Sequence, residues 1–167
     1  MKKITFYTLL VISLVSCTIS YKFNGASIDY TKIKTISIQN FPIKAPLVYT
    51  PLAIAFDEGL KDIYTRQTRL TFVKQGGDLQ LEGAITRYDL TPQAVQADAY
   101  AAQTRLTVAV NVKFTNKANP KDDFDQTFSA YRDFNSNQML NQVQDQLIKE
   151  IVEELTDQIY NATVARW

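Results

Sequence analysis

The only thiol in the chain, Cys17, closes the segment Leu14-Val15-Ser16-Cys17, directly after a short apolar run. Lys2 and Lys3 supply a positive start, and Phe6, Tyr7, Leu9, Leu10, Val11, Ile12, Leu14 and Val15 make the apolar stretch. It is well short of the ~20 residues of a spanning helix, which marks a secretory signal. The segment resembles a bacterial lipobox, whose Cys takes a diacylglycerol on sulfur and, after cleavage, a further acyl chain on the freed amine. Two or more chains, at ~0.8 kcal/mol per buried CH₂, anchor a protein stably. An accidental Cys is the plain alternative, and it leaves an exported chain with an odd thiol. Thr18, not Asp, follows the Cys, which points to the outer membrane. No acidic cluster of the kind that resembles a surface-export signal follows, so the expected place is the periplasmic leaflet.

Other chemistry is scarce. The formal charge of +1 counts Lys2 and Lys3, so the chain from Cys17 onward stands near −1. That balance offers no electrostatic footprint for nucleic acid. Without His, and with its one Cys committed to the anchor, the chain lacks the commonest general base, metal ligand and thiol nucleophile. We expect no cofactor, no metal and no catalytic residue. Asp57-Glu58, Asp122-Asp123 and Glu153-Glu154 are adjacent pairs, and neighbours on a helix or strand do not converge, so they read as solvated surface. Gly76-Gly77 lacks phosphate-loop spacing. Asn161-Ala162-Thr163 matches a glycosylation acceptor at a helix end. Four cations, Arg87, Arg105, Lys113 and Arg132, could form a loose basic patch for lipid phosphates. Alternation puts Arg105 and Lys113 on the polar file and Arg87 and Arg132 on the inward file near strand ends. Scattered solubilising charge is the plainer reading of all four.

The elements that would carry these residues follow from periodicity. Thr18 to Ile28 is a polar tether. Ile33 to Phe41 alternates, with Ile36 and Ile38 on one face, and reads as a first strand. Pro42, Pro46 and Pro51 punctuate the next loop. Thr50 stands at an N-cap with Pro51 first in a helix that reaches Gln67, its stripe being Leu52, Phe56, Leu60, Ile63 and Tyr64. Leu70 to Val73 allows a short strand. Strand two runs from Leu79 to about Leu90, with Leu79, Leu81 and Ile85 inward and Tyr88 outward. After the loop Thr91 to Gln103, strand three alternates from Leu106 to Phe114. Strand four spans Asp123 to Phe134, where Gln126 breaks the apolar file and signals a bulge or an edge. Ser136 caps a last helix to about Val164, ~28 residues and ~42 Å long. The order β-α-β-β-β-α implies an α+β two-layer sandwich: a mixed four-stranded sheet, strands one and two parallel, with both helices on one face. The other face is polar.

Several segments within that order resemble the LptE-type lipopolysaccharide-assembly lipoproteins, in particular their Bacteroidetes form. They are Tyr21 to Ile28 after the lipobox, Ile36 to Pro42, Ala45 to Val48, Glu82 to Thr86, Arg105 to Val108, Phe114 to Asn116 and Phe128 to Tyr131. The resemblance implies a domain organisation of signal peptide (residues 1–16), lipidated Cys17 with tether (17–30) and an LptE-like α+β domain (31–167). It implies a non-enzymatic outer-membrane subunit of the lipopolysaccharide translocon, which plugs an LptD-like β-barrel, helps it fold and aids insertion of lipopolysaccharide into the outer leaflet. Basic strand residues would meet the lipopolysaccharide, with Arg105 and Lys113 the candidates. Two other readings remain: a periplasmic lipoprotein that binds a small ligand or scaffolds another envelope complex, and an enzyme working through carboxylates alone.

Overall fold

The structure is a computed structural model that describes residues 28–93 and 102–164. The signal, Cys17, the tether through residue 27 and residues 94–101 of the loop lie outside them. The elements in chain order are β1 (Thr35–Ile38), α1 (Thr50–Gln67), β2 (Thr71–Phe72), β3 (Leu79–Gln93), β4 (Gln103–Asn116), a 3₁₀ turn (Pro120–Asp122), β5 (Phe124–Asn135) and α2 (Leu140–Thr163). They form a mixed sheet of five strands in the order β2-β1-β3-β4-β5. The two-layer α+β sandwich is therefore as expected, with one strand more. Leu70 to Val73 supplies it: β2 pairs parallel with β1 through Thr35–Thr71 and Ile36–Phe72. The first crossover makes β1 and β3 parallel neighbours through Ile36–Leu79 and Ile38–Leu81.

Both helices cover one face because each has one apolar stripe to bury. Leu52, Phe56, Leu60 and Tyr64 of α1, Ile151, Leu155 and Ile159 of α2, and Leu81, Ile85, Leu106, Val108, Val110 and Val112 of the strands are all fully buried. The helices run parallel: the Tyr49 hydroxyl donates to Asp145 at 2.8 Å at one end, and Tyr64 and Thr163 share a hydroxyl hydrogen bond at the other. Between those ends a Cβ on Gly59 would stand 3.0 Å from Val152 Cγ1, so glycine allows the close approach. The helix α1 begins with Tyr49 as its N-cap, one residue before the expected Thr50. At the other helix Met139 is the N-cap and the length is 24 residues, shorter than the 28 expected from Ser136. Ser136 belongs to the sheet end instead. Its hydroxyl meets Thr104 at 2.9 Å, and its N–H donates to the Ala102 carbonyl at 3.0 Å.

A clamp fixes the start of β1. Asp78 accepts hydrogen bonds from the N–H groups of Lys34 and Thr35, both at 2.9 Å, and from the Thr35 hydroxyl at 2.8 Å. These donors, the Lys34 N–H foremost, hold its carboxyl below the usual carboxylate range. Because the folded-state value is the lower one, this stabilisation is present above the ordinary carboxylate pKa. It is lost as pH falls through the lowered value. Asp78→Ala should cost about 1–3 kcal/mol at neutral pH, and the acid side of its stability curve should be flatter than that of the parent. Urea unfolding at pH 7 and pH 3 measures both.

Candidate functional site

The polar face is built by β3, β4 and β5, whose antiparallel register runs without interruption along β5 and with one shift in β3. That shift lies between Ile85, opposite Val110, and Arg87, opposite Ala109, and leaves Thr86 as the extra residue. The bulge reverses the alternation of everything after it. Arg87 is thus exposed on the polar face and Tyr88 is buried at 5% exposure, the opposite of the plain alternation for both. Tyr88 stacks on Tyr49 with centroids 6.2 Å apart, and its hydroxyl accepts from Gln144 Nε2 at 2.5 Å. The clue was in the sequence: Leu79, Leu81 and Ile85 stand at odd positions, Tyr88 and Leu90 at even ones.

Arg87, Arg105 and Lys113 therefore share one face, each against a carboxylate. Arg87 Nε and Nη2 reach Asp89 at 2.7 and 2.9 Å. Arg105 forks onto Asp133 of β5 at 2.7 and 2.8 Å, with its guanidinium carbon 3.7 Å from the Tyr131 ring centroid. Those bonds hold the Asp133 carboxyl below its ordinary value. Lys113 Nζ lies 2.8 Å from Glu82 on β3, which raises its pKa. Asn111 donates to Asp125 at 2.7 Å. Along β4, Arg105 and Lys113 are eight residues apart, or ~27 Å. The cations form a line of neutralised pairs and do not converge on one point.

Arg132 is the exception. It stands opposite Leu106 on the helix side of the sheet. There it donates to Glu150 at 3.1 Å and Glu154 at 2.6 Å of α2, and to the Tyr131 and Glu150 carbonyls at 2.7 and 3.2 Å. It does not join the other three cations, because β5 keeps an unbroken alternation and has no bulge to turn it over. Gln126 likewise marks an edge strand and no bulge.

The acidic pairs are not simply solvated. Asp57 is half-buried and accepts the Phe41 N–H at 3.1 Å, and desolvation raises its pKa. Asp123 accepts the Asn116 N–H at 2.7 Å, and Asp122 accepts from Asn116 and Asn119 at 3.1 and 3.0 Å. Glu154 is held by Arg132. Thr163 of the acceptor tripeptide is buried at 8% exposure against Tyr64. On the helix side a groove of about 650 Å³ lies between α1 and α2, floored by Gly59, Ile63, Ile148 and Val152 and rimmed by Glu58, Asp62, Glu153 and Asp157. Among the described residues there is no group of three or more side chains placed to hold a metal ion.

No curated protein matches this chain in sequence. Among solved structures, a minor lipoprotein from Acinetobacter baumannii superposes with a TM-score of 0.52 at 17% identity, over 76% of this chain and 89% of that one. A protein from Xanthomonas campestris gives a TM-score of 0.52 at 12% identity, over 78% and 85% of the two chains. At such identities these show a shared fold. The sequence profile described as LptE, lipopolysaccharide-assembly, matches residues 33–163, which spans every strand and helix above. With its lipobox-like start and this two-layer sandwich, the chain belongs to the LptE family of lipopolysaccharide assembly.

Proposed function

We propose that this protein is the lipid-anchored plug subunit of an outer-membrane lipopolysaccharide translocon, seated in the lumen of an LptD-like β-barrel. The polar sheet face carries this reading. It is a broad, regular surface whose charges are answered within the face, by Asp89, Asp133 and Glu82. Such a face suits the polar, wet interior of a large barrel. Five strands at ~4.8 Å spacing, backed by a helix layer, need a lumen of the size found only in the largest, plugged barrels. The family works in lipopolysaccharide assembly. On this reading the protein acts by binding: it stabilises the folded barrel and aids transfer of lipopolysaccharide to the outer leaflet. Cys17 holds it to the periplasmic leaflet of the outer membrane, and Arg87, Arg105 and Lys113 present the cations for lipopolysaccharide phosphates. Arg132 is withdrawn from that set by Glu150 and Glu154.

The deciding experiment is purification of the tagged, lipidated protein from outer membranes in mild detergent, with mass spectrometry of what accompanies it. A stoichiometric large β-barrel is the expected result. Recovery with no barrel, under conditions that keep outer-membrane complexes intact, would overturn the plug reading. Cys17→Ser should abolish incorporation of labelled fatty acid into the protein, since that thiol is where the first lipid attaches.

A further inference from the structure

The two edges of the sheet are managed very differently. The edge formed by β2 is two residues long. The edge formed by β5 is 12 residues long, contains neither proline nor lysine, and pairs with β4 in unbroken register. Natural proteins guard long, flat edges with such residues or with bulges, because an uncovered row of N–H and C=O groups templates another strand. Among the described residues the inward-pointing guard is Arg132, whose guanidinium also donates to the Tyr131 carbonyl at 2.7 Å. It closes the edge at that point only. In an antiparallel strand alternate residues direct both backbone groups the same way, so Asp125, Thr127 and Ser129 share the outward direction of Tyr131. Among the described residues no strand pairs with this outward side, a regular stretch of ~14 Å from Asp125 to Ser129.

From this we propose that the edge between Asp125 and Ser129 receives an extended segment of the barrel partner as a sixth strand, one that bears Lys or Arg on the polar-face side. The proposal rests on the plug reading. Charge selects the occupant. Within this stretch the polar-face file carries one charge, Asp125, answered only by the Asn111 amide at 2.7 Å because Lys113 opposite it is taken by Glu82, while the helix-side file carries Gln126 and Phe128. An incoming strand with basic or hydroxyl residues alternating with small apolar ones satisfies both files. A second copy of this chain pairing by a twofold about Thr127 would bring Asp125, Thr127 and Ser129 to that file, and so no cation to either Asp125.

The test uses the lipidated full chain in cells, with the photocrosslinking residue p-benzoylphenylalanine at Thr127 or at Ser129, and at Thr107 on the middle of the polar face as a control. Strand addition predicts that adducts from 127 and 129 map to one barrel segment, at sites two residues apart. Asp125→Lys, which guards the edge and reverses its charge, should lower barrel recovery about fivefold. If the barrel copurifies but the two positions give no adduct, or map without the two-residue step, the edge proposal is overturned and the plug reading stands. Adducts between two copies of this chain would overturn it in favour of self-pairing. If no barrel is recovered with the parent protein, both fall together.

Discussion

Gly83→Val should prevent the domain from folding at 37 °C. A Cβ at residue 83 would lie 2.0 Å from the Asn111 carbonyl oxygen and 2.7 Å from Phe41 Cε1. Gly83 stands opposite Val112 in the middle of the β3–β4 ladder, so the first clash is with the backbone of the neighbouring strand and cannot be relieved by turning a side chain. The second is with a ring held at 1% exposure and edge-on to Phe56, with centroids 5.1 Å apart. Overpacking of this kind costs about 3 kcal/mol or more, a large share of the stability of a domain this size. Phe41→Ala alone should cost about 3–5 kcal/mol through the cavity it leaves. Combined with Gly83→Ala it should relieve only the ring contact, because the Asn111 carbonyl stays in place. Chemical denaturation of the single and double variants measures this coupling, and a Gly83→Val domain of parental stability would contradict the close approach of Phe41 and β4.

If the polar face meets lipopolysaccharide as proposed, removing its carboxylates should tighten that binding. Asp133→Asn with Glu82→Gln frees Arg105 and Lys113, whose charges are now answered within the face. An anionic phosphate then no longer has to displace a carboxylate held at 2.7 or 2.8 Å, and affinity for purified lipopolysaccharide should rise about tenfold. Arg105→Gln with Lys113→Gln should lower it by a similar factor, with a weaker salt dependence. Glutamine is the cleaner substitution at residue 105, since glutamate there would face Asp133 and repel it. Binding that is unchanged in both double variants would show that these cations serve the polarity of the face alone. Thermal melts run beside the binding assays separate either outcome from unfolding.

Much of this architecture was legible in local patterns. The stripes Leu52 to Tyr64 and Leu147 to Ile159 marked two helices, and the alternation Leu106 to Phe114 marked the interior strand β4 with its two faces. The short Leu70 to Val73 run was visible but could not be assigned, because two residues in a strand have no periodicity of their own. Arg105 and Lys113 were placed on the polar face because no bulge intervenes in β4.

What the sequence by itself determined is therefore the order of the main elements, the apolar face of both helices and of β4, and the lipobox-like start, all properties of residues within a few positions of one another. The tertiary structure decided the phase of β3 beyond Thr86, which moved Arg87 outward and Tyr88 inward. It also decided which cations remain available, by bringing Asp133 to Arg105 across 28 positions and Glu154 to Arg132 across 22. A bulge is stabilised by the register of the strand opposite, and an ion pair by the packing that brings two segments together. Both depend on contacts made between distant parts of the chain, and a one-dimensional pattern does not contain them.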